Sequence, residues 1–139
     1  MSFGTCADTN NNPIVVAEEL GRKLVINNNS RQTMSKVRVD GCVVTDNSLR
    51  CDYLFELGQP MEKVIYLELK GRNVEHAYEQ LCATVTRFSV RHRNLEKECR
   101  IIASRVPRMG TRLQQMKVEM LKKYGASLLV NTTKSEIFV

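Results

Sequence analysis

Glu68 and Lys70 stand two residues apart at the end of the stretch Tyr66-Leu67-Glu68-Leu69-Lys70-Gly71. On a strand, side chains two apart share a face. Glu68 and Lys70 therefore project together, while Leu67 and Leu69 project the other way into a core. A second acidic residue, Asp52, lies a short way upstream. Two carboxylates and an amine brought together at a strand end can hold a hard divalent ion and an activated water. That is the chemistry of metal-dependent phosphodiester hydrolysis.

The elements that must position these groups are read from periodicity. Residues 13–25 are expected as a helix capped by Asn12, with Pro13 in its first turn. Glu18 with Arg22 and Glu19 with Lys23 are opposite charges four apart, which supports that helix. Residues 36–39 alternate as a strand, and Asp40-Gly41 turns the chain into Cys42-Val43-Val44. Residues 50–57 form a second strand, with Asp52, Leu54 and Glu56 on one face. Residues 63–70 form a third, apolar enough to be central. Asn73 caps a helix in which Val74, Ala77, Tyr78, Leu81, Val85 and Phe88 recur at helical spacing. Residues 99–106 read as a strand. Thr111 and Gln114 have the spacing of a capping box. A helix through Leu113, Met116, Met120 and Tyr124 follows and stops at Gly125. Residues 127–130 make a short strand, with an edge segment at Ile137-Phe138-Val139. The expected architecture is α/β, a mixed sheet with helices on both faces.

The 139 residues suit a single domain, here residues 13–139 behind a loose, polar segment of residues 1–12. With 42% hydrophobic and 26% charged residues, the composition is that of an ordinary soluble protein. No apolar run is long enough to cross a membrane as a helix, and the N-terminus lacks a signal-peptide pattern. A net charge of +6 suits a polyanionic partner. Five cysteines at irregular spacing, with no Cys-x-x-Cys, argue against a disulfide framework or a zinc site. They favour a reducing, cytoplasmic or nucleoid-associated setting rather than secretion. His76 and His92 show no metal spacing with one another.

With these residues in place, residues 13–106 resemble the PD-(D/E)XK, or restriction-endonuclease-like, nuclease family. That family is built on an αβββαβ core, with an Asp at the start of the second core strand and Glu-x-Lys at the end of the third. Asp52 matches the first position, and Glu68 and Lys70 match the second. The residue before Asp52 is Cys51 rather than Pro, and Asp46 is a competing candidate in a turn. The resemblance implies that Asp52, Glu68 and the Leu69 carbonyl ligate Mg²⁺ or Mn²⁺. Lys70 then positions or helps deprotonate a water. It implies an early-helix Glu, either Glu18 or Glu19, with Glu18 preferred at the rim of the apolar face. It also implies a helix glutamine, for which Gln80 is placed. Arg72, Arg87, Arg91 and Arg93 are the residues expected on flanking phosphates. The expected substrate is nucleic acid, most readily DNA, cleaved by a homodimer. The alternative is a non-catalytic nucleic-acid-binding or protein-interaction module on the same fold.

Overall fold

A computed structural model describes residues 2–139. In chain order the elements are β1 (Ala7–Asn10), β2 (Ile14–Glu19), β3 (Arg22–Asn27), β4 (Met34–Arg38), β5 (Tyr53–Leu57) and β6 (Lys63–Lys70). They continue with α1 (Val74–Arg87), β7 (Glu96–Ala103), α2 (Arg112–Tyr124), β8 (Ala126–Thr132) and β9 (Lys134–Phe138). A six-stranded sheet runs β1-β4-β5-β6-β7-β8, and a three-stranded sheet runs β2-β3-β9. The sheets are mixed: β4, β5 and β6 are antiparallel neighbours, β6, β7 and β8 are parallel, and β9 runs parallel to β3.

The chain is α/β, but the helix expected over residues 13–25 is a β-hairpin. Val15 and Ala17 are buried on β2, and Leu24, Val25 and Ile26 on β3. Branched residues at Ile14, Val15, Val16, Val25 and Ile26 fit a pleated surface better than a helix. The charge pairs that mimicked helical spacing sit across the hairpin instead, Glu18 opposite Lys23 and Glu19 opposite Arg22. Opposite charges suit either geometry, so the pairs could not discriminate. The αβββαβ order thus lacks its first helix, while β4-β5-β6-α1-β7 follows the expected succession.

Both helices lie on one face of the large sheet, not on opposite faces. One apolar cluster joins Leu54, Val64, Tyr66, Cys99 and Ile101 to Val74, Leu81 and Val85 of α1 and Met116 and Met120 of α2. The other face is covered by the hairpin sheet. There Phe55, Ile65, Leu67, Leu69 and Ile102 meet Val15, Ala17, Leu24 and Ile26. β6 is buried on both faces, as its apolar run implied.

Smaller differences follow. Residues 42–43 form a turn and Val44 only an isolated bridge to Asp40 rather than a strand, and β5 begins only at Tyr53. β7 runs earlier than expected, ending at Ala103. Thr111 stands at the N-terminus of α2 without a side-chain capping bond, whereas Asn73 caps α1 by accepting from the His76 N–H. Of residues 1–12, Met1 lies outside the described residues. The rest are not loose: β1 pairs with β4, and Cys6 is disulfide-bonded to Cys42. Closing a loop with a sequence separation of 36 stabilises by about 4 kcal/mol through loop entropy. Irregular cysteine spacing concealed this pairing, because β1 and the turn after β4 approach only in the folded chain. Cys51, Cys82 and Cys99 are free.

Candidate active site at the end of strand β6

Asp52 immediately precedes β5, and its backbone N–H donates to the Leu67 carbonyl of β6. This places its side chain beside the last turn of the β6 pleat, where Oδ2 accepts from the Leu69 N–H at 2.8 Å. In a strand the N–H and C=O of one residue point to the same edge. The Leu69 carbonyl therefore lies on the Asp52 side as well. Glu68 and Lys70 share the helix-facing side of β6, and Lys70 Nζ stands 3.5 Å from Glu68 Oε2. The chain thus brings Asp52, Glu68, Leu69 and Lys70 to one strand end.

The two carboxyl groups are nearly inaccessible, Glu68 at 2% exposure and Asp52 at 8%. Burial, then the charge of Asp52, pushes the Glu68 pKa up despite Lys70. Burial likewise raises Asp52 against the hydrogen bond from Leu69, with the charges of Glu19 and Asp40 adding to the rise. One proton held by Glu68 can be donated to Asp52. Once both are ionised neither can donate. Glu68 Oε1 is then buried with no hydrogen-bond donor among the described residues. Such a group costs about 1–3 kcal/mol, so the site carries more negative charge than its own donors satisfy.

Glu18 does not reach this site. It is exposed on β2, whereas Glu19 continues the inward row begun by Val15 and Ala17. Glu19 is close enough for its charge to raise both Asp52 and Tyr53. The preference for Glu18 rested on a helical wheel; on a strand the parity reverses. Gln80 lies on α1 against the segment entering β5, donating to the Arg50 carbonyl at 3.1 Å, and its Oε1 is buried without a partner. Asp46 stays in an exposed turn, bonded to Ser48.

The expected arginines divide. Arg72 is exposed two residues beyond Lys70. Arg87, Arg91 and Arg93 lie at the other end of α1, whose 14 residues span about 20 Å. Arg91 is committed to structure: it grips Glu56 at 2.7 and 2.9 Å and stacks over the Phe3 ring at 4.2 Å. His92, buried nearby, also donates through Nε2 to the Glu56 carboxylate and shares a hydrogen bond between Nδ1 and the Tyr66 hydroxyl at 2.6 Å. Arg87 reaches Ser48 Oγ at 3.3 Å.

One cation that sequence reasoning passed over does reach the strand end. The Ser104 N–H donates to the Lys70 and Gly71 carbonyls, and Arg105, next along, donates its N–H to Gly71. Parallel pairing of Lys70 with Ala103 dictates this neighbourhood. Arg22, by contrast, stands opposite Glu19 in the hairpin, its Nε buried without a hydrogen-bond partner among the described residues. Among the described residues, no group of three or more His, Cys, Asp and Glu side chains is arranged to hold a metal ion. The oxygen donors of the site are two carboxylates and a carbonyl. The chain matches no protein-family model, and comparison with curated proteins and with solved structures likewise returns no match.

Proposed function

We propose that this chain is a metal-dependent phosphodiesterase acting on nucleic acid, DNA foremost, through a PD-(D/E)XK-like site on a restriction-endonuclease-like sheet. The observation that carries the proposal is the buried Glu68 carboxyl beside Asp52, with an oxygen lacking any donor and a lysine at 3.5 Å. A hard cation would relieve both the repulsion and the orphan, and an all-oxygen donor set suits Mg²⁺ or Mn²⁺. Asp52, Glu68 and the Leu69 carbonyl would hold it. When bound, such an ion lowers the pKa of a water and neutralises charge on the attacked phosphate.

The chain's own residues account for the rest. The Leu69 N–H fixes the orientation of Asp52. Glu68 tethers the Lys70 ammonium at the strand end, where it can orient the attacking water and stabilise charge on the phosphate oxygens. Arg72 and Arg105 position the backbone of the substrate.

The test is incubation with plasmid, linear, single-stranded and branched DNA and with RNA, in Mg²⁺, Mn²⁺ or EDTA, beside Lys70→Ala. Cleavage that needs metal and falls by about 10³-fold in the variant is expected. Folded protein that cleaves none of these, or cleavage indifferent to Lys70, overturns the proposal. One observation favours a second reading, a nucleic-acid-binding module without hydrolysis: the site offers two carboxylates rather than three. That reading predicts salt-sensitive binding in EDTA and no cleavage.

A further inference from the structure

The hairpin that carries Glu19 and Arg22 ends in Leu20-Gly21, and its tip has two unusual properties. Leu20 is 89% exposed, more than any other large hydrophobic side chain among the described residues. It also sits at φ 48°, with Gly21 at φ 82°. A two-residue hairpin turn of type I′ requires positive φ at both central residues, and Asn-Gly or Asp-Gly supplies it at little cost. A leucine there costs about 1–2 kcal/mol and leaves an apolar side chain in water. Packing does not explain the choice, because the side chain packs on almost nothing.

The tip is tied to the strand end that carries the candidate site, from the sheet face opposite the helices. The Lys23 N–H donates to the Thr133 carbonyl at 2.9 Å, the Thr133 N–H to the Ala103 carbonyl at 2.8 Å, and the adjoining Ser104 N–H to the Lys70 carbonyl at 3.2 Å. Thr133 is itself held at φ 59°. Two strained turns are thus joined to each other and to the end of β6. Strain of this kind is tolerated where the surroundings impose it, and it concentrates at functional sites. Glu19, one residue before the tip, lies near enough for its charge to act on Asp52, while Arg22 and Lys23 follow on the next strand.

We propose that Leu20 is an apolar wedge that enters an opened base step of the nucleic acid, so that the preferred partner is unpaired or branched rather than continuous duplex. An exposed aliphatic side chain on a rigid tip, preceded by Glu18 and Glu19 and followed by Arg22 and Lys23, has the chemistry of the leucine and isoleucine wedges that lodge between unstacked bases. Arg22 and Lys23 would hold the phosphates on either side, and the strand so opened would lie beside Lys70. The wedge rests on the proposed reading of the Lys70 site as the place where nucleic acid is engaged.

Binding is measured in EDTA by fluorescence polarisation with three labelled probes: a linear duplex, a single strand and a forked duplex of the same sequence. Wild type is compared with Leu20→Asn, which suits positive φ and is expected to fold at least as stably. The control is Leu121→Gln, at another exposed apolar position, on α2. Leu20→Asn should lower the fork-to-duplex affinity ratio by about five- to ten-fold, the lower part of the range for side chains that stack on bases. Leu121→Gln should leave that ratio unchanged. An unaltered ratio in Leu20→Asn, a wild type that favours duplex, or no nucleic-acid binding at all overturns the wedge. Because binding is read without metal, the two proposals fail separately. Leu20-dependent fork binding without cleavage in Mg²⁺ sinks hydrolysis and keeps the wedge; metal-dependent cleavage with a Leu20-independent ratio does the reverse.

Discussion

Glu68→Gln should make the protein more stable and inactive at the same time. In the ionised wild type, Glu68 is 2% exposed, repelled by Asp52, and has one oxygen without a donor. An amide of the same shape removes the charge and can donate to Asp52. Relief of one buried, unsatisfied charged group corresponds to about 2 kcal/mol. For a domain of 139 residues this raises Tm by roughly 6 °C. The pH dependence follows from the sign of the shift. The folded-state pKa of Glu68 lies above that of the unfolded chain. Below the unfolded value wild-type Glu68 is protonated in both states and carries no penalty. As pH rises through the folded value the stability of the neutral form is lost. The advantage of Glu68→Gln should therefore be near zero at pH 4 and full at pH 9. Thermal unfolding by circular dichroism across that range, with EDTA or excess Mg²⁺, measures it. Mg²⁺ should raise the wild-type Tm and leave the variant unmoved, since only an ion that binds the folded state stabilises it. A variant equal to or less stable than wild type at pH 9 would refute the claim that the site holds surplus negative charge. The metal assignment would go with it.

Glu19→Gln should reduce cleavage and the Mg²⁺-induced rise in Tm, whereas Glu18→Gln should change neither, because only Glu19 lies near enough for its charge to act on Asp52; equal effects in parallel assays would contradict the strand parity. Glu56→Ala should cost about 3–5 kcal/mol in denaturant unfolding, since it removes the buried carboxylate to which Arg91 and the buried His92 are both bonded. Burial opposes ionisation of Glu56, but hydrogen bonds from Arg91 and His92 outweigh it and hold the pKa at about 2. Its folded pKa lies below the unfolded one, so this contribution is present above about pH 4.5 and lost as pH falls through about 2. An acid-unfolding curve that does not shift in the variant would show that the pair adds nothing.

β6 and α1 were legible because each carries its own signal. Eight residues with Gly71 after them define the strand, and a cap with recurrent apolar positions defines the helix. Asp52, Glu68 and Lys70 come together for the same reason, since adjacent antiparallel strands fix their register locally. The hairpin of β2 and β3 was not legible, because the same four charges pair as Glu18–Arg22 and Glu19–Lys23 on a helix and as Glu18–Lys23 and Glu19–Arg22 across a two-residue turn. What decided it was remote. Val15, Ala17, Leu24 and Ile26 cover the face that Phe55, Ile65, Leu67 and Leu69 would otherwise expose. A helix would cover that face too, but β9, more than a hundred residues later, pairs with β3 and completes a sheet there. The same long-range choice replaced Glu18 with Glu19 at the site and put Leu20 at an exposed tip. The branched residues Ile14, Val15, Val16, Val25 and Ile26 are the local sign against a helix. Leu20 suits a helix but conflicts with the positive φ of the turn it occupies, and such conflicts are expected at functional sites.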